Sequence, residues 1–187
     1  LASREMGQEW ESTAYHLLVP DPTLSDLVAR LRAHGGDTTE IEVKSAAGGL
    51  PQTMGVSLCA LANLPGGGWV ILGLDEGAGF IPVGLTNTTV LKQGLGVRAR
   101  DCAPPVVLEI SEEKFEGSSV VFARVAECDR SAKPCKIGGR GWVRSWDGDF
   151  QMSDLEEQAF LRLREAPLHD VRPVPGATRR DLDDELL

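Results

Sequence analysis

The chain has 187 residues, 42% of them hydrophobic and 25% charged, and its 19 lysines and arginines against 28 aspartates and glutamates leave a formal charge of −9. This size and composition suit one globular domain, and the acidic balance excludes a uniformly basic nucleic-acid coat. No apolar run approaches the roughly 20 residues of a membrane-spanning helix and no segment has the form of a signal peptide, so a cytoplasmic protein with no membrane partner is expected.

Residues 1–10, around Met6, have no periodicity and read as an added or disordered leader. The main domain is expected over 11–166. Asp21-Pro22-Thr23 opens a first helix with Leu24, Leu27, Val28 and Leu31 at helical spacing, stopped at Gly35-Gly36. Glu40 to Lys44 alternates as a strand, with Ile41 and Val43 on one side and Glu40, Glu42 and Lys44 on the other. A second helix runs within Pro51–Asn63, carrying small residues that suit close packing, and the turn Pro65-Gly66-Gly67-Gly68 ends it. Trp69 to Leu74 is apolar throughout, as in a central strand covered on both faces. Gly79 to Val83 is expected to return beside it as a short strand, at an edge because of Pro82.

Asn87 caps a third helix through Val90, Leu91 and Leu95. Val106–Lys114 and Ser119–Glu127 form an antiparallel hairpin, and Gly141–Trp146 adds a strand. Ser153 and Glu156 make a capping box at the start of a last helix through Phe160, Leu161 and Leu163. The prolines of 167–176 read as a linker, and Thr178 begins another helix that leads towards a further domain. The order is mixed rather than a βαβ repeat. It predicts an α+β fold, a mixed and largely antiparallel sheet packed with three to five helices.

Three groups of residues carry candidate chemistry. Asp37, Glu42 and Asp75, with Lys44 beside Glu42, match the hard oxygen ligands and helper cation of a Mg²⁺- or Mn²⁺-dependent nuclease. They equally match a polar strand face and an Asp-Glu-Gly turn. The glycine turn at 66–68 follows a helix and precedes a strand, the reverse of a P-loop, and lacks its Gly-Lys-Ser/Thr; a tight connection is the better reading. Between Arg130 and Trp146 lie Arg130, Lys133, Lys136, Arg140 and Arg144, with no acid among them. Such a strip can hold phosphates on an otherwise acidic chain, and Trp142 and Trp146 flanking Arg144 can stack on unpaired bases. Alternation puts Trp142, Arg144 and Trp146 on one strand face, so burying both tryptophans would bury Arg144 too.

Other chemistry finds little support. Cys59, Cys102, Cys128 and Cys135 lack CxxC spacing and read as free thiols rather than disulfides or a zinc site. His16, His34 and His169 have no neighbouring serine or cysteine to serve as nucleophile.

Four segments in order resemble the Schlafen-type AlbA-like domain: Glu42-Val43-Lys44, Ala62-Asn63-Leu64-Pro65-Gly66-Gly67, Trp69 to Asp75, and Trp142-Val143-Arg144. The resemblance spans roughly 36–164. It implies an α+β, DNA-binding module at the front of a bacterial transcriptional regulator, often followed by a winged-helix part. In relatives with nuclease activity it implies a three-carboxylate site, here Asp37, Glu42 and Asp75 or Glu76. The expected function is nucleic-acid binding, with DNA as partner and no cofactor. The alternatives are a Mg²⁺- or Mn²⁺-dependent nuclease and a protein-interaction or homo-oligomerisation module.

Overall fold

The computed structural model describes residues 21–146 and 148–165. The leader over 1–10, the linker and helix over 167–187, and both His16 and His169 lie outside the described residues. Among those described, four helices and ten short strands form an α+β fold with mixed, mostly antiparallel sheets.

Helix α1 (Leu24–His34) begins where Thr23 and Asp26 cap each other reciprocally and ends at Gly35, whose φ of 81° gives the left-handed cap. Its leucines at 24, 27 and 31 and Val28 are buried. They rest on one face of a four-stranded sheet ordered β1 (Ile41–Lys44), β2 (Gly68–Leu72), β7 (Ser118–Val125), β6 (Leu108–Phe115). The β1–β2 pair is parallel and the others are antiparallel. Helix α2 (Met54–Asn63) makes the crossover between β1 and β2, and with α3 (Thr88–Arg100) covers the opposite face. Strand β2 therefore sends Trp69 and Ile71 to the α1 side and Val70 and Leu72 to the other. The uninterrupted apolar run is the signature of that two-sided burial.

A second antiparallel sheet, ordered β10 (Gly148–Gln151), β9 (Arg140–Ser145), β8 (Lys136–Ile137), β5 (Cys102–Ala103), packs on the far side of α2. Lying between two sheets, α2 buries every residue from Ser57 to Asn63. That explains its small side chains, because a helix covered all round cannot keep a polar stripe. The short pair β3 (Leu74–Asp75) and β4 (Ile81–Pro82) extends from Gly73, and α4 (Asp154–Glu165) follows the second sheet.

The glycine turn is a tight connection. A Cβ at Gly67 would stand 2.1 Å from the Val125 carbonyl oxygen, and one at Gly68 would stand 2.7 Å from that of Glu40. The β6–β7 hairpin turns through Glu116 and Gly117, both at positive φ, as a two-residue turn matched to strand twist requires. All four cysteines are free, and Cys59, Cys102 and Cys135 are buried beside α2.

Candidate nucleic-acid interface

The second sheet carries most of the cationic residues singled out from the sequence, and β9 sets their directions. Trp142 and Arg144 do share a strand face, but that face looks inward at α2. Arg144 has no solvent-accessible side-chain surface. Its Nη1 lies 2.6 Å from Glu42 Oε2 and 3.0 Å from Asp149 Oδ1, and its Nη2 lies 3.5 Å from Asp37 Oδ2. It also donates to the carbonyls of Thr38 and Ile41. Ser57 lies between the acids, its Oγ 2.6 Å from Asp149 Oδ2 and 3.2 Å from Glu42 Oε1. Lys44 reaches Glu42 at 2.7 Å.

The electrostatics follow from that burial. Burial works to raise the Glu42 carboxyl, yet Arg144 and Lys44 outweigh it and hold Glu42 below the usual carboxylate range. Burial pushes Asp37 up to about 7, helped by the neighbouring Glu42 and Glu76 carboxylates and opposed by the Val43 N–H and Lys44. Burial works to lower Arg144, but Glu42 and Asp149 carry it above the ordinary arginine value.

This donor set does not fit a resident Mg²⁺ or Mn²⁺. The Arg144 guanidinium already stands among the carboxylates where a divalent cation would have to sit. Asp75 is exposed in the separate β3–β4 pair, and it is Glu76 that touches Asp37, accepting from its N–H at 3.1 Å. Among the described residues no group of three or more His, Cys, Asp or Glu is arranged to hold a metal ion. Of the expected acids, Asp37 and Glu42 meet on Arg144, and of the two alternatives for the third it is Glu76 that lies beside Asp37, not Asp75.

The outward cationic strip is corrected as well. Besides Arg144, Lys133 is buried, bonded to Glu127 at 2.6 Å and to the Asn63 carbonyl at 2.9 Å. Lys136 is tied to Glu157 of α4 at 2.5 Å. Trp142 is half-buried against the core, and its buried Nε1 has no hydrogen-bond partner among the described residues. Two of the five cations stay on the surface: Arg130, whose Nε donates to the Leu163 carbonyl, and Arg140, whose Nη1 donates to Gln151. Trp146 escapes the strand alternation because β9 ends at Ser145 and Trp146 enters the turn at φ 58°, where it is 73% exposed. Its nearest aromatic neighbour is His34, with ring centroids 6.2 Å apart.

Several working residues escaped sequence reasoning. Asp149 faces Arg144 across the β9–β10 hairpin. Arg164, at the end of α4, bonds to the Arg130 turn through the Ala132 and Lys133 carbonyls, and Arg162 is exposed on the same helix. Asn63 joins the two halves of the fold: its amide donates to the Cys135 and Trp142 carbonyls and accepts from the Cys135 N–H.

The family model described as Schlafen, AlbA_2 matches residues 37–153. The chain belongs to the Schlafen AlbA_2 family. Among solved structures, this AlbA_2 domain is similar to the N-terminal domain of a RecG-related protein of Nitrosomonas europaea, whose description names an ATP-dependent DNA helicase. The two share 26% identity at a TM-score of 0.52, covering 71% of this chain and 92% of the other. It also shares its fold with the DIP2311 protein of Corynebacterium diphtheriae, at 21% identity and a TM-score of 0.50. There the match covers 80% of this chain and 37% of that protein's length. A search of curated proteins finds no match. No helix among the described residues is long and apolar enough to cross a membrane.

Proposed function

We propose that this AlbA_2 domain is a nucleic-acid-binding module, with DNA as its partner, acting in the cytoplasm as part of a bacterial transcriptional regulator. The observation that carries the reading is the likeness to the N-terminal domain of the RecG-related protein, which is nearly all covered and whose name refers to DNA. The contact residues in this reading are fewer than the sequence predicts: Arg130 of the turn before β8, Arg140 of β9, Arg162 and Arg164 from the end of α4, and Trp146 after β9, all of them exposed. Four guanidinium groups on a chain of charge −9 support modest, salt-sensitive binding rather than a tight polyanion clamp.

Fluorescence anisotropy of labelled oligonucleotides with the whole chain, at low and at physiological salt, tests this. Binding at low salt that weakens steeply as salt rises supports the proposal, and no binding at low salt overturns it.

One observation favours self-association as a second reading. Leu155, Leu161 and Leu163 of α4 are exposed on a helix that otherwise carries charge. Light scattering after size-exclusion chromatography, with Leu155→Glu as the comparison, tests that separately.

A further inference from the structure

We infer that the nucleic acid this domain takes is single-stranded, and that Trp146 and Phe150 of the β9–β10 hairpin form the platform on which its bases stack. The inference rests on the nucleic-acid reading above and adds the class of ligand and the second ring. Trp146 and Phe150 are among the most exposed large apolar side chains of the described residues, at 73% and 57%. Both belong to one short hairpin, in which Gly148 pairs with Ser145 and Phe150 with Val143. The Phe150 ring leans towards the turn: a Cβ added at Gly148 would come within 2.9 Å of its Cε2. Trp146 sits in that turn with positive φ, a backbone region that bulky side chains avoid, and the core gains nothing from holding it there.

The exposed ring faces favour unpaired bases. Trp146 precedes Gly148 by two residues and Phe150 follows it by two, so both rings belong to one short hairpin. Such rings suit bases drawn out of the stack, whereas a duplex hides its base faces and offers them nothing to cover. Arg140 holds Gln151, the residue after Phe150, at 2.6 Å, which puts a cation at the far end of the same hairpin for the phosphate backbone. Trp142, the partner for Trp146 expected from the sequence, is packed inward, and Phe150 takes its place.

The test compares the affinity of the whole chain for a fluorescein-labelled 15-mer of thymidylate and for a 15-base-pair duplex, in the parent and in Trp146→Asn and Phe150→Ala. Asparagine tolerates the left-handed turn, and urea midpoints equal to the parent's check that both variants fold. The single strand should bind at least about tenfold tighter than the duplex. Each variant should lose roughly 5- to 100-fold for the single strand, while the duplex changes by less than about twofold. Equal affinity for both ligands, or variants that hold the single strand as the parent does, would overturn stacking and leave nucleic-acid binding standing. If neither ligand binds at low salt, both readings fall together.

Discussion

Arg144 and Glu42 meet at 2.6 Å with both side chains withdrawn from water, and this contact ties the second sheet to the edge of the first. Glu42 belongs to the parallel strand β1 and Arg144 to β9, about a hundred residues later, so the pair holds together two parts of the fold that share no strand. Asp149, Asp37 and Ser57 complete the cluster. It is a structural hub in which an arginine has settled among acids that the sequence offered to a metal.

Removing one member should be costly. Arg144→Met leaves Glu42 with Lys44 as its one remaining cation and strips Asp149 and Asp37 of the guanidinium, and it should lower unfolding free energy in urea by about 3–5 kcal/mol. Arg144→Lys should recover only part of that, because an ammonium cannot fork between several carboxylates and two carbonyls.

The hub also has a pH signature. Folding raises the Asp37 carboxyl from 3.8 to about 7, so the folded state binds the proton more tightly than the unfolded chain. This group's contribution to stability is therefore greatest below pH 4, declines as pH rises, and is gone above about 7. Glu42 has the opposite sign: its depressed value gives stability that is present above its unfolded range and lost as the medium turns acid. Asp37→Asn should flatten the stability profile between about pH 4 and 7. A carbon-13 carboxyl titration of the parent should place the Asp37 midpoint near 7.

Asn63 offers a sharper structural test, since its side chain satisfies the Cys135 N–H and the Cys135 and Trp142 carbonyls at 2.7–2.9 Å. Asn63→Leu leaves the Cys135 N–H and the Trp142 carbonyl unpaired and the Cys135 carbonyl with the Cys59 thiol alone, and should cost at least about 2 kcal/mol in thermal or urea unfolding. Asn63→Asp keeps the acceptor but points a carboxylate oxygen at two carbonyls, and it should be no better tolerated.

Two glycines should respond in opposite directions. Gly67→Ala forces a Cβ to within 2.1 Å of the Val125 carbonyl at a φ of 71°, and the turn into β2 should fail, seen as loss of soluble folded protein. Gly96 lies inside α3 with nothing within 4 Å of an added Cβ. Gly96→Ala should therefore stabilise the domain by about 0.5–1 kcal/mol, read from the urea midpoint.

Much of this fold was legible where local chemistry and tertiary packing agree. Leucine spacing and Gly35 mark α1, Asn87 does cap α3 through the Val90 N–H, and the Ser153–Glu156 box opens α4. The run from Trp69 is the doubly covered strand its composition implies. The second sheet was largely hidden, because β5 and β8 are two residues each and β10 only four, too short for a period to show.

The site failed for a different reason. Alternation placed Trp142 and Arg144 on one face, but it is Asp37 and Glu42, about a hundred residues earlier, together with Asp149 across the hairpin, that let an arginine face inward. Alternation also stops where a strand stops, which is why Trp146 turns outward on its own.

The central claim is that a few exposed arginines, and not the buried ones, meet the phosphates of a nucleic acid. The slope of log affinity against log salt measures it most directly, in the parent and in the double variant Arg130→Gln/Arg140→Gln. With four phosphate contacts the parent slope should be about −3, and losing two should shrink it by about 1.5. A double variant whose slope equals the parent's, or a parent affinity indifferent to salt, would contradict it.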